Sequence, residues 1–497
     1  MRRLRCVSLL VLALTGCTVG PNYTKPETGV PAAYAGPVAP GSTVDPSTWW
    51  TAFGDPQLTD LVQRALKGNP DVQIAASRVR QARLQIIVAR SQGLPQVNAD
   101  ASVSNVQFSK NAGLSSIAKA FSGGGGAAGG SGASSSASGI ALPGSGITTF
   151  AVGFDASWEL DIFGGVRRNI QSARARTEAA EWNRRDAAVM LAGDVAQAYF
   201  ALRLDQIQAQ VVTDELTRQR RALQIAGDVA SVGLTPTINV TRQRGQLNAT
   251  QARLAPIQAD IAVQIHAIGV LLGIQPEALS TELAPPPVVP LTVPAVPAGL
   301  PSDLLRRRPD IRAAERQLAA ANADIGVAVA DMYPKFSLTG MSQLISTTLA
   351  TLFEGNSLQL TGTAMAQFPL LDFGRRRATV ESRREDRTQA LVNYRSTVLG
   401  ALRDVEDALV QLQAERDRNI VLARAVADQQ QSATAIEAQY RAGFIAQDSL
   451  LNAQTDVLTA REQLAQSNAQ LQQKTAALFK AIGGGWSETP VPGRPAD

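Results

Sequence analysis

The sequence predicts an internally duplicated α+β chain, in which a few very long helices are interrupted by four strands suited to a membrane barrel. Three observations predict it: a long-range repeat, helical stretches of unusual length, and short segments of alternating polarity. The repeat comes first. "NPDVQIAASRVRQARLQIIVARSQGLPQV" from Asn69 and "RPDIRAAERQLAAANADIGVAVADMYPKF" from Arg308 align without gaps at an offset of 239, pairing Pro70 with Pro309, Ile86 with Ile325 and Pro95 with Pro334. Downstream the offset becomes 210 and pairs Phe163-Gly164 with Phe373-Gly374, Asp194 with Asp404, Gly233 with Gly443 and Gly273 with Gly483. A register held over so many residues is one structural unit used twice.

Each copy reads as helix, strand, loop, strand, long helix, tight turn and return helix. Residues 69–94 lack an internal proline and are rich in Ala, Gln, Arg and Ile, all reasonable helix formers. Residues 163–231 and 373–441 each continue as one helix of about 100 Å. The return stretch 235–272 spans about 57 Å and the entry stretch about 39 Å, so two short helices end to end match one long helix. Helices of that length need neighbouring helices for stability. "SVGLTPT" and "RAGFIAQ" supply Gly233 and Gly443 for the left-handed residue that ends a helix. Pro256 lies inside one return helix where the other copy has Gln466, which predicts a kink in the first copy alone.

The four strands are expected at 97–108, 148–160, 336–346 and 358–371. In "AVGFDASWELDIF", Val152, Phe154, Ala156, Trp158 and Leu160 alternate with Gly153, Asp155, Ser157 and Glu159. One apolar and one polar face suit a membrane barrel with a wet interior; a soluble sandwich burying one face is the alternative. Four strands cannot close a barrel, so the barrel reading requires several chains. Residues 109–147 carry the run "FSGGGGAAGGSGASSSASG", read as an exterior loop, since its glycines lack the spacing of a phosphate-binding loop.

The N-terminus adds a compartment. Arg2, Arg3 and Arg5, the short apolar run Val7–Leu14 and the small residues Thr15 and Gly16 make residues 1–16 a secretory signal peptide. That run is too short to span a bilayer, and no later run reads as a transmembrane helix. Cleavage before Cys17 removes three arginines and takes the formal charge from +5 to about +2, so the sequence pI of 9.4 does not indicate a nucleic-acid partner. Cys6 is lost with the signal, leaving no pair of thiols for a disulfide or a thiolate metal site. His266, the only histidine, has no second histidine or free cysteine beside it, and no G-x-S-x-G elbow is present, so no catalytic or metal site is expected. The basic runs "LLRRRPDI" and "GRRRATVESRRED" lack interleaved aromatics and read as solvated faces.

"LTGC", "GPNYTKP", "WWTAFGDPQLTDLV", the paired "PD" helices and the Gly-tipped hairpins resemble the TolC-like outer membrane factors, in the lipoprotein branch that serves RND-type tripartite efflux. The likeness covers the chain except the Gly/Ser insertion and the tail after Gly483. It implies a homotrimer in the cell outer membrane, with a twelve-stranded barrel and a helical cylinder crossing the periplasm. It implies acylation of Cys17 with N-palmitoyl and S-diacylglycerol groups; an ordinary signal with an incidental cysteine is the other reading. Thr18, where inner-membrane retention would place Asp, implies sorting to the outer membrane. Residues 17–68 are expected as a lipid-anchored segment whose part from about 45 to 68, with the connector 274–308 and the tail 484–497, forms a belt around repeats 69–273 and 309–483 with hairpins 163–272 and 373–482.

The same resemblance implies that the tips Gly233, Leu234 and Thr235, and Gly443, Phe444 and Ile445, meet a periplasmic adaptor (membrane fusion protein) working with an inner-membrane RND-type pump. The alternative is that these apolar residues pack their own turns. Where relatives close the tunnel with "LLDAQR", this chain reads "SLLNAQT", placing Asn452 and Thr455 at the periplasmic aperture. Asp448, one turn earlier, either adds a ring of carboxylates or caps the following helix. The expected function is a passive exit duct for drugs and other toxic small molecules. A duct for protein secretion, or a lipid-anchored coiled-coil tether, are the alternatives, and a tether leaves the four strands unexplained.

Overall fold

The computed structural model describes residues 18–36, 44–107, 146–233, 236–286, 292–297, 299 and 301–486. In chain order the principal elements are α1 (Pro56–Gly68), α2 (Pro70–Ser91), β1 (Gln96–Gln107), β2 (Gly146–Leu160), α3 (Gly165–Ser231), α4 (Thr237–Ala252), α5 (Leu254–Leu272), α6 (Pro301–Arg307), α7 (Pro309–Ala330), β3 (Lys335–Ser346), β4 (Leu358–Gln367), α8 (Arg375–Arg441) and α9 (Gln447–Ala481). They form two compact units, and each unit draws on both repeats: one takes the chain up to Asn22 with Gln85–Ala173 and Asn322–Arg384, the other takes Tyr23–Leu84, Arg174–Ala321 and the chain from Glu385.

The first unit contains one antiparallel sheet in the order β1-β2-β3-β4. Directly paired residues share a face. Val97 faces Ala156, Trp158 faces Leu338 and Leu338 faces Ala364 on the apolar side. Asn98 faces Asp155 and Thr339 faces Thr363 on the polar side, where Asn98 Nδ2 donates to Asp155 at 3.2 Å. β4 stops at Gln367 instead of running to residue 371, because Pro369 has no N–H to continue a ladder. The duplication is visible in the pairing itself. Adding the offsets 239 and 210 to the pair Asp100–Gly153 of β1 and β2 gives Thr339–Thr363, the observed pair of β3 and β4.

Glycines mark the same duplication. Gly164 and Gly374 (φ 81° and 86°), Gly233 and Gly443 (79° and 77°), and Gly273 and Gly483 (75° and 76°) occupy the left-handed region at equivalent helix boundaries. α3 and α8 each run 67 residues without a break, about 100 Å. The return helices differ. α9 is continuous over 35 residues, whereas its counterpart is split into α4 and α5 at Arg253. Pro256 supplies no N–H for the Ala252 carbonyl, and its ring crowds that carbonyl. Arg253 N donates instead to Thr250 O at 3.2 Å, a tighter turn.

By length and composition two helical stretches are apolar enough to cross a bilayer, with window hydropathies of 1.2 in Gly165–Ser231 and 1.4 in Thr237–Leu272. This corrects the reading that no such run follows the signal. In α3 over half of that window is buried in the chain. In the return helix 17% of it is buried, and Val263 and Val270 of α5 stand exposed.

The core of the second unit is built where the connecting segments meet the middles of the long helices. Trp49 stacks on Phe479 of α9 at 5.3 Å, and Phe53 packs on Phe200 of α3 at 4.9 Å. Leu58, Leu61, Val62 and Ala65 form the buried stripe of α1 at helical spacing, against Val195, Tyr199 and Leu202 of α3 in the same core. Asp55 starts α1 as its N-cap, accepting from the amides of Gln57 at 2.8 Å and Leu58 at 3.4 Å, with Pro56 at the first position. The same carboxylate accepts the Tyr199 hydroxyl, and Arg203 bonds Gln57 and the Pro285 carbonyl, so the cap also ties α1 to α3.

One carboxyl in this unit is at odds with its surroundings. Burial first, and then the nearby Asp260, push Asp205 of α3 up to about 6. Its folded value lies above the unfolded one, so this group loses folding stability as pH rises through about 6. Asp205→Asn is therefore expected to raise the melting temperature of the detergent-solubilised protein at pH 8. The gain should shrink as pH falls and vanish near about 4, the ordinary carboxyl value. A gain independent of pH would show that the carboxyl is not the cause.

Candidate functional site

The tips follow from helix-end chemistry. At the second tip Gly443 N donates to Tyr440 O at 2.9 Å and Phe444 N to Gln439 O at 2.9 Å, closing the last turn of α8 around the left-handed Gly443. Gly233 ends α3 the same way, donating to Ala230 O at 3.0 Å. A side chain at either glycine would meet nothing within 4 Å, so backbone conformation alone requires glycine there. Phe444 is 81% exposed and does not pack its own turn, while Ile445 is half-buried. Leu234 and Thr235 lie outside the described residues.

Just past this tip, Ala446 holds the N-cap position of α9 and makes no side-chain cap bond. Asp448 is therefore not the cap. It sits in the first turn of α9, where the helix dipole favours an anion, and its carboxylate pairs with Arg242 Nη1 of α4 at 3.1 Å. A second pair, Arg253 with Glu462 at 2.6 Å, joins the same two return helices at the α4–α5 break. Gln447 Nε2 adds a bond to Gln243 at 3.2 Å. Asn452 is exposed one turn along α9, and the Thr455 hydroxyl donates back to Leu451 O at 2.9 Å.

Sequence reasoning missed Arg242, and a signal for it existed. Arg242 is the residue of the first repeat that matches Asn452 at the 210 offset, so the cation that pairs with Asp448 sits in the other copy of the unit.

In the first unit the sheet has a wet face and a dry one. The polar face carries Asn98, Asp100, Asp155, Gln343 and Gln359, with Gln343 bonded to Gln359 at 3.4 Å. Every strand end that joins a helix lies at one edge, the end of Gln96, Leu160, Lys335 and Gln367. There a strap formed by Thr18–Asn22 is held by Arg168, which is buried. Its guanidinium donates to Val19 O at 3.0 Å, Gly20 O at 3.1 Å and Asn22 Oδ1 at 3.0 Å. Burial pulls Arg168 below its usual range. Cys17, at the head of this strap, lies outside the described residues. His266 is exposed on α5, and among the described residues no three His, Cys, Asp or Glu side chains gather at one point.

The first unit thus carries a sheet with one polar and one apolar face, and the second carries ion-paired return helices with exposed turns. Comparison with known proteins agrees. The description of outer membrane efflux proteins matches residues 61–273 and 300–484. The cation efflux system protein CusC of Escherichia coli O6:H1 is 29% identical over 488 residues, covering 96% of this chain and 98% of that protein. Nodulation protein T of Rhizobium leguminosarum bv. trifolii is 30% identical over 477 residues, covering 96% of each. The solved outer-membrane channel OprN superposes with a TM-score of 0.82 at 30% identity, over 95% of this chain and 100% of that one. With both repeats matched and these relatives aligned along nearly their whole length, the chain belongs to the outer membrane efflux protein family.

Proposed function

We propose that this chain is the outer-membrane exit duct of a tripartite efflux system, three copies closing one conduit for small molecules or cations delivered by an inner-membrane pump through a periplasmic adaptor. Cys17 carries the lipid anchor, and the tips at Gly233 to Thr235 and Gly443 to Ile445 receive the adaptor. The observation that carries the reading is the open sheet. β1 and β4 each leave one edge unpaired within the chain, which hydrocarbon does not tolerate. A second copy of β1 beside β4 repairs both edges. Eight strands would fill their own interior with side chains, whereas three copies give twelve and leave a channel.

The duplication specifies how the copies join. If the β2–β3 pairing is repeated one unit later, Asp155–Met341 becomes Met365 of one copy against Ser102 of the next. Two apolar residues support this register. Phe163 stacks on Tyr333 at 4.6 Å within the chain, and their equivalents, Phe373 and Leu94, stand 93% and 60% exposed. They meet across the same joint.

Three measurements test these statements. Cells lacking the protein should retain a fluorescent efflux substrate and lose it again on complementation; unchanged retention with redundant ducts removed, and altered secreted protein, would favour a secretion duct. The variant Met365→Cys/Ser102→Cys should give chain-to-chain crosslinks with a short thiol reagent, whereas Met365→Cys/Asn98→Cys should give few; the reverse pattern overturns the register. Arg242→Glu and Asp448→Arg should each raise single-channel conductance, and the double exchange should restore it. Equal conductance in all three would remove that pair from the closed end.

A further inference from the structure

The two repeats are not equally covered. α2 and α7 are equivalent helices at the 239 offset, and α3 and α8 are equivalent at 210. Ala313 and Ala323 of α7 are 3% and 5% exposed, whereas their counterparts on α2, Ile74 and Leu84, are 49% and 59% exposed. Val189 of α3 is 3% exposed, and its counterpart on α8, Leu399, is 67% exposed. α2 and α8 thus each present bare apolar side chains where the other repeat is packed. Bare apolar positions of that kind mark an interaction surface.

The packed repeat shows what such a surface receives. In the first unit a Cβ on Gly326 of α7 would meet Arg168 Cγ of α3 at 2.7 Å, so the small residue makes room for the large one. In the second unit Ala175 of α3 clusters with Ala319 and Ala320 of α7. Carried through the offsets, these two points become Ala378 with Ile87 and Glu385 with Arg80, on α8 and α2. At the first point the sizes are exchanged, large on α2 and small on α8, and the fit is kept. At the second, two methyl groups give way to opposite charges. Ile87 is 61% exposed, and Ala378, Arg80 and Glu385 are exposed as well, so the chain does not bring them together. Neither Arg80 nor Glu385 has an ion-pair partner among the described residues.

We propose that α8 of one copy docks on α2 of the next in the register that lays α3 on α7, with Ile87 over Ala378 and Arg80 paired to Glu385. The inference rests on the reading of the duct as several copies joined at the repeat register, and it adds a helical contact outside the strands. Lipid is a poor occupant, because it would leave both charges without a partner. An unrelated protein is not needed, because the two complementary surfaces already exist on this chain. Their contact is head to tail, and a contact of that type, repeated, closes a ring. It also differs in kind from its model inside the chain. An ion pair stands where α3 and α7 have only methyl groups, so added salt weakens the joint between copies and spares the joint within them.

The test uses the full-length protein extracted in detergent. Ile87→Cys/Ala378→Cys should give chain-to-chain products with a short thiol reagent. Ile87→Cys/Thr379→Cys should give few, since Asn169, the equivalent of Thr379, donates to Gln92 of α2 at 2.8 Å and so lies on the other flank of its helix. Arg80→Glu and Glu385→Arg should each lower the temperature at which the multi-chain form dissociates on a gel, and the two together should restore it. Products from Thr379 in place of Ala378, or a double exchange no better than the single ones, in a protein that still runs as several copies, overturn this docking and leave the duct reading standing. An adduct to a different protein in place of a second copy does the same. A protein of one-chain mass in detergent instead brings down the reading of several copies, and the docking with it.

Discussion

Every backbone N–H and C=O that enters hydrocarbon needs a partner, and much of this chain can be traced to that requirement. A four-stranded sheet satisfies its interior and leaves two edges bare. Duplication is an economical answer, because a unit that pairs with its own repeat presents compatible edges to another copy of itself. The observed pairings obey the repeat offsets from β1–β2 to β3–β4, so the two halves of the sheet are built to one register.

The long helices carry a second constraint. A 67-residue helix with polar and apolar residues spread around it has no single stripe to bury, and its stability must come from what is laid against it. The answer is concentrated midway, where Trp49, Trp50, Phe53 and the α1 stripe pack on Phe200, Val195 and Phe479. Toward the tips the contacts include ion pairs between exposed side chains, such as Arg242 with Asp448, beside small buried groups such as Leu450 and Ala453. Exposed pairs of this kind contribute about 0–1 kcal/mol each, far less than the aromatic packing around Trp49 and Phe53.

What was legible in the sequence followed local rules. The left-handed glycines, the helix lengths, the break near Pro256 and the alternation of β2 and β3 are properties of a residue and its near neighbours. What was missed depends on partners distant in sequence. Asp448 looked like a cap because Asp favours that position, yet Ala446 takes it and Arg242, 206 residues away, holds the carboxylate. The stacking of Trp49 on Phe479 is likewise invisible to any local pattern. The apolar window of the first return helix was overlooked for a different reason: its hydrophobic residues are interspersed with polar ones, so they do not form a continuous run.

The break at Arg253 has a consequence for symmetry. Two hairpins per subunit, built from one repeated unit, would give an assembly of three subunits a nearly sixfold end. Only one hairpin of each pair is jointed, because α9 continues through the position where α4 and α5 part. In such an assembly bending would be easier at every second hairpin. An opening driven by that joint would lower the end from hexagonal to triangular, with three stiff posts alternating with three leaves that swing.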